Sequence, residues 1–257
     1  MLPELTSPAM PTPLTQLTFA RRAEPAELSE LMDEPCAYSE LRDCFRDFVE
    51  MNRITRGYTP TLGFLNRVAL QHSGSRPLRI LDVGCGGGDT LREIARWATD
   101  RDLAVELTGI DLNANATRAA RELSARDSSA AQMNWITGDI FAYSPQAQTD
   151  VVLSALFVHH LSSCEIVRFL RWLEQHARVG WFINDLHRSS RAAFWFRFLP
   201  VLFGWHRFIQ HDGPVSLRRA FVASDWEQFL AAADISDATI ESHPMNRLCV
   251  SRIRPLL

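Results

Sequence analysis

Residues Ile80-Leu-Asp-Val-Gly-Cys-Gly-Gly-Gly-Asp89 constrain this chain more than any other segment, because an apolar run empties there into four glycines. A run of that kind reads as a buried parallel strand. Glycines after it permit a tight turn, and Arg92, Glu93, Ile94 and Ala95 resume with helical character. The expected product is a strand–turn–helix whose bare backbone N–H groups face a ligand at a helix N-terminus. A dinucleotide fingerprint requires G-x-G-x-x-G. Gly84 and Gly86 fit it, but the third position falls on Asp89. What stands in the chain is Asp82-x-Gly84-x-Gly86-x-Gly88.

Further segments follow in order. Val105–Ile110 reads as a second strand ending in Asp111, with an Ala-rich helical pattern from Asn113 to Arg126. An acid at that strand tip is placed to accept ribose hydroxyls. Met133–Thr137 is a third strand ending in Gly138-Asp139-Ile140, and Asp150–Ser154 a fourth running into Ala155-Leu-Phe-Val-His-His-Leu161. Taken singly, Asp111 reads as a helix-terminal acid and Asp139 as a turn residue. Asp82 lies inside an apolar run, where a carboxylate is rarely buried without a partner.

In this order the segments resemble the motifs of class I S-adenosylmethionine (SAM) dependent methyltransferases. The resemblance implies SAM as cofactor, S-adenosylhomocysteine (SAH) as product, and no metal. It implies a site built from Asp82, Gly84, Cys85, Gly86 and Gly88 at the glycine loop and Ala155 after the fourth strand. Asp82 would hydrogen-bond loop amides and order the amino-acid end of SAM. Asp111 would hold the ribose, Asp139 and Ile140 the adenine, and Leu112 would cover the other ring face. The histidines after strand four match paired histidines common at that place in the family.

The chain has 257 residues, enough for one α/β domain with additions. A net charge of −3 argues against a nucleic-acid partner bound through a basic surface. All 27 basic residues are arginine, which excludes a phosphate-binding, Schiff-base or general-base lysine. Cys36, Cys44, Cys85, Cys164 and Cys249 are odd in number and lack metal-ligand spacing. With no apolar leader, the expectation is a reduced, cytoplasmic protein. Monomer and homodimer both remain open.

Residues 1–24, with Pro3, Pro8, Pro11 and Pro13, are expected as a flexible tail. Residues 25–75 are expected as a helical lid: Tyr38, Leu41, Phe45 and Phe48 mark one apolar face, and a second helix runs from about Pro60 to Gln71. Residues 76–257 form the expected catalytic domain. Ser162–Glu165 and Ser224–Glu227 both fit a capping box. Val179–Ile183 is a fifth strand, and Ala238–Ser242 with Arg247–Ile253 closes the sheet as a hairpin. The fold class is therefore a doubly wound α/β sheet of seven strands with an N-terminal helical extension. An insertion, 187–223, interrupts it after strand five and holds the aromatic run 194–205. That run is too short to cross a bilayer and reads as a substrate cap or an interfacial patch.

Methyl transfer from a sulfonium needs the acceptor held behind the methyl carbon, and a phenol also needs its proton removed. Histidine suits that task near neutrality. The candidates at strand ends are His159, His160 and His187, with His211 in the insertion and Asp185 two residues before His187 as its orienter. Asn184-Asp-Leu-His-Arg188 and the segment from His211 to Phe221 are similar to bacterial methyltransferases that accompany type III polyketide synthases. The chain is also broadly similar to quinone-biosynthesis methyltransferases. These resemblances imply a small phenolic, lipophilic acceptor, with O-methylation favoured over C-methylation of a quinol-type ring. Ser154 and Ala155 offer no acid at the strand-four tip, which disfavours a magnesium-dependent catechol mode. A nicotinamide-dependent oxidoreductase is the rival enzyme, opposed by Asp89 and Asp139. A SAM-binding module without chemistry is the other rival.

Overall fold

The computed structural model describes residues 19–72, 74, 76–125, 133–145 and 148–254. Among them, β1 (Leu78–Val83), β2 (Val105–Asp111), β3 (Met133–Thr137), β4 (Thr149–Ala155), β5 (Ala177–Leu186), β6 (Thr239–His243) and β7 (Arg247–Ile253) form one sheet. Its order is β3-β2-β1-β4-β5-β7-β6, parallel except for β7, which runs antiparallel to both neighbours. This is the doubly wound sheet with a closing hairpin that the sequence predicts. Chain order reverses between β1 and β4, the switch point where open α/β sheets bind ligands.

Burial on both faces explains the unbroken apolar runs. Leu81 and Val83 of β1 pack on one face with Val152, Ile183 and helix α5 (Ser163–His176), while Leu78 and Ile80 pack on the other with helix α3 (Asp89–Thr99). That alternation is the period-two pleat. Helix α1 (Tyr38–Ile54) turns Leu41 and Phe45 toward Ala116 and Ala119 of α4 (Ala114–Ser124). Helix α2 (Thr59–Ala69) docks on β5, where Phe64 stacks on Phe182 with ring centroids 4.9 Å apart. In the insertion, α6 (Ser190–Phe196), α7 (Leu199–Leu202) and α8 (Arg207–Arg219) lead to α9 (Ala223–Ala232).

Two local expectations change. Ser162 caps α5 as expected, its hydroxyl accepting from the Glu165 amide. Helix α9 begins two residues earlier than Ser224–Glu227 implies: Val222 is its N-cap, and Asp225 accepts the Val222 N–H at 2.8 Å. Asp225 also pairs with Arg188, which draws the start of the helix to that side chain. The expected tail, residues 1–24, lies outside the described residues up to 18. Its last part is docked. Arg22 is buried and donates to the carbonyls of Arg219, His159 and Leu161.

Asp150, fully buried near the start of β4, anchors the sheet at the end away from its carboxyl edge. It accepts from Arg76 at 2.6 and 2.7 Å, from the Arg79 amide at 3.0 Å and from Arg178 at 2.8 Å. Burial works to raise this carboxyl, but those donors outweigh it and hold the group at about 2. A carboxyl lowered on folding adds stability above its unfolded value, near 3.9, and loses it as pH falls through the folded one. Asp150→Ala is therefore expected to cost about 2–4 kcal/mol in urea unfolding at neutral pH, below a fully buried pair because both arginines are part-exposed. The gap from wild type should narrow between pH 5 and pH 2.

Candidate active site

The glycine loop folds as a cradle because its alternate residues are left-handed: Gly84, Gly86 and Gly88 have φ of 69°, 51° and 74°. At two of them a side chain is also sterically barred. A Cβ on Gly84 would lie 2.4 Å from the Phe157 ring, and one on Gly88 would lie 2.4 Å from Trp135. The loop opens onto a cavity of about 780 Å³ above the carboxyl ends of β1, β2 and β4, a volume in the usual range for a ligand pocket. Helix α1 closes it from above, with Phe45 and Met51 on its wall.

Asp111 ends β2 beside the loop. Its Oδ2 accepts the Gly86 N–H and its Oδ1 the Asn113 N–H, both at 2.9 Å. Burial raises this carboxyl, and the two amides only partly offset it. Asp82 sits deeper, and its Oδ1 has no hydrogen-bond partner. Burial, then the charges of Asp89 and Asp111, push it well above the carboxylate range. The expectation that Asp82 accepts loop amides differs from the structure. Gly84 and Cys85 donate to the Ile110 carbonyl, and Gly86 to Asp111. Asp82 is left facing the cavity.

Leu112, Asp139 and Ile140 line the cavity at the far side of Asp111, with Ile140 buried and the other two exposed. Asp139 accepts the Phe141 amide at 2.9 Å. Ala155 lines the wall at the end of β4. Cys85 is buried, and burial holds its thiol well above the ordinary value, so it is a small spacer rather than a nucleophile.

The histidines sort sharply. His159 and His160, in a tight turn over Val158–His160, both line the cavity. Asp185 is not paired as expected. Asp185 holds His159, not His187: His159 Nδ1 lies 2.7 Å from Asp185 Oδ1, and the His159 amide donates to Oδ2. Strand β5 runs to Leu186, and its neighbour β4 delivers His159 within reach of Asp185. Burial works to raise Asp185, but His159 outweighs it and leaves the carboxyl below its usual range. An ionised Asp185 only accepts, so Nδ1 carries a proton and donates it to the carboxylate. Nε2 points toward Glu30, 3.7 Å away.

His160 Nδ1 lies 3.0 Å from Asp33. Burial pulls its pKa down, but Glu30 and Asp33 more than reverse that and hold it above the ordinary histidine value. His187 instead bridges to Phe221, donates its amide to the Asn246 carbonyl, and stands outside the cavity wall. His211 pairs with Asp212 at 2.8 Å and is likewise outside it.

Sequence reasoning missed four residues of this cluster. Glu30 and Asp33 face the histidine pair, while Arg22 and Arg219 grip the His159 carbonyl, Arg219 at 3.0 Å. Glu30 in turn accepts the Ser216 hydroxyl at 2.9 Å. No spacing rule links residues 22–33 to 159; Arg219 lay inside the segment quoted for its similarity, which was the one available signal.

Residues 80–180 match a family model described as a methyltransferase domain. No curated protein sequence matches the chain significantly. Among solved structures, the chain is similar to a Nostoc punctiforme PCC 73102 protein provisionally described as an O-methyltransferase, at 18% identity and TM-score 0.56 over 78% of this chain. The chain spans 56% of that protein's length. It is similar to the plantazolicin methyltransferase BpumL, solved with SAH, at 18% identity and TM-score 0.57, covering 83% of this chain and 93% of that one. It is also similar to the CMeT domain of citrinin polyketide synthase, at 17% identity and TM-score 0.54, covering 76% and 51%.

The fold is the one these methyltransferases share, and residues 80–180 match their domain model. The cofactor that this fold implies is SAM, since similar structures were solved with SAM or SAH bound. The residues present fit that group. The left-handed glycine loop borders the cavity, and the buried Asp82 carboxyl with its unpaired oxygen is placed for a cationic amino-acid end.

Proposed function

We propose that this enzyme transfers the methyl group of SAM to a hydroxyl of a small, lipophilic phenol of polyketide-like type. The observation that carries the reading is the Asp185-held His159 in the wall of a largely apolar cavity shared with the glycine loop. When bound, SAM supplies an electrophilic methyl on a sulfonium. Asp82 receives its ammonium, Asp111 its ribose hydroxyls, and Asp139 with Ile140 and Leu112 its adenine.

His159 takes the phenolic proton on Nε2, and Asp185 stabilises the imidazolium that results. His160, whose pKa Glu30 and Asp33 raise against the effect of burial, favours the phenolate in its charged form. Arg22 and Arg219 fix the turn that carries both rings. The aromatic walls exclude water and align the acceptor oxygen with the methyl carbon.

The assignment of Asp82 has a separate consequence. A carboxyl whose pKa is raised on folding weakens the fold above its unfolded pKa, because there the unfolded chain gains an ionisation that the native site resists. Asp82→Asn is therefore expected to raise the melting temperature of the cofactor-free protein at pH 7 while weakening SAH at least about tenfold. A thermal-shift series with and without SAH reads both changes.

The acceptor class is tested with labelled SAM and a panel of resorcinols, naphthols and quinols. O-methylated product supports the proposal. Ring-methylated product would move the reaction to carbon, where no base is needed.

A further inference from the structure

The segment between β5 and α8 carries features that methyl transfer does not use. Seven of the eleven exposed large apolar side chains among the described residues fall within 194–203. Phe194, Trp195, Phe198, Val201, Leu202 and Phe203 are each at least half exposed, on α6, α7 and their connecting turn. A contiguous apolar patch of this kind marks an interaction surface.

The charge beside it is one-sided. No acidic residue lies between Asp185 and Asp212, while Arg188, Arg191, Arg197 and Arg207 do, in a chain of net charge −3. Arg188 is buried against Asp225, and Arg207 pairs with Glu40. Arg191 and Arg197 are the exposed cations that remain beside the rings. Behind the patch, Phe196 of α6 lines the cavity and packs on Gly213, where a Cβ would lie 2.2 Å from its ring. Helix α6 thus has one side chain on the cavity and its neighbours on solvent.

We propose that residues 191–203 dock the protein on the surface of an anionic lipid bilayer. Trp195, Phe198 and Leu202 enter the boundary between headgroups and acyl chains, and Arg191 and Arg197 meet the lipid phosphates. The one-sided charge selects a bilayer over a second copy of this chain, since a two-fold pairing of the patch would set arginine against arginine. No helix among the described residues is long and apolar enough to cross the membrane, so the contact is interfacial. Docking itself does not depend on the identity of the methyl acceptor. If the acceptor is lipophilic as proposed above, docking also brings the Phe196 side of the cavity toward its source.

Flotation of the full chain with phosphatidylcholine vesicles holding about 30 mol% phosphatidylglycerol tests this. Co-flotation is expected, falling about tenfold on phosphatidylcholine alone or in about 0.5 M salt. Trp195→Ser with Leu202→Ser should cut it at least about tenfold, and Arg191→Ser with Arg197→Ser several-fold. SAH affinity measured by calorimetry on the same proteins should stay unchanged, which shows that the variants fold. Absence of co-flotation overturns the proposal, as does co-flotation that ignores these substitutions. Sedimentation showing a dimer that the apolar pair splits, without vesicle binding, would assign the patch to a second copy and also overturn it. Loss of SAH binding in the unaltered protein, with flotation intact, would instead count against the cofactor assignment alone.

Discussion

His159→Ala is expected to lower kcat by about 10²–10⁴, the usual contribution of a positioned general base, while leaving SAH affinity within about twofold. The expectation rests on geometry. Nδ1 is engaged by Asp185 at 2.7 Å, leaving Nε2 as the nitrogen proposed to accept the proton in the cavity wall. Asp185→Asn is expected to reproduce most of the loss, because an amide can present its NH₂ to the ring and reverse the tautomer. His187→Ala and His211→Ala should leave kcat nearly unchanged, since both rings lie outside the cavity. Steady-state kinetics on the four variants separates these outcomes. Full turnover in His159→Ala would remove the base from the mechanism and favour methylation at carbon.

The second large effect is on the cofactor. Asp111→Ala removes the carboxylate proposed to take two ribose hydroxyls. Hydrogen bonds to a charged group contribute about 1.5–3 kcal/mol each, so SAH affinity is expected to fall about 10²–10⁴-fold. The substitution also frees the Gly86 amide, which Asp111 now holds at 2.9 Å. Asp111→Asn keeps an acceptor for that amide and should lose less. Calorimetric titration of both variants, beside a thermal melt to show that they fold, gives the comparison. Equal affinity in wild type and Asp111→Ala would place the ribose elsewhere.

Much of this was legible in the chain because local chemistry dictated it. Four glycines after an apolar run leave few conformations other than a left-handed cradle, and Gly84, Gly86 and Gly88 adopt it. Unbroken apolar runs marked β1 and β4, and the closing strands expected at Ala238–Ser242 and Arg247–Ile253 fall within one residue of β6 and β7. The pairing of Asp185 was not legible. Sequence proximity favoured His187, two residues away on the same strand, but parallel pairing of β4 with β5 brings His159 from the next strand to the same carboxylate. The same limit hid Glu30 and Asp33, which reach the histidines from a short helical turn more than a hundred residues earlier. Arg22 looked like tail because the prolines before it set the composition, yet it is held by carbonyls of three residues far along the chain. Ser224 failed as a cap because Asp225 was already drawn to Arg188 and the Val222 amide.

The central claim is that the glycine cradle with Asp82 and Asp111 binds SAM. Isothermal titration of the purified protein with SAH, with NADH run in parallel, tests it most directly. The account predicts saturable binding of SAH at one site per chain and none of NADH. Binding of NADH without SAH would contradict it and return the chain to the nicotinamide-dependent class.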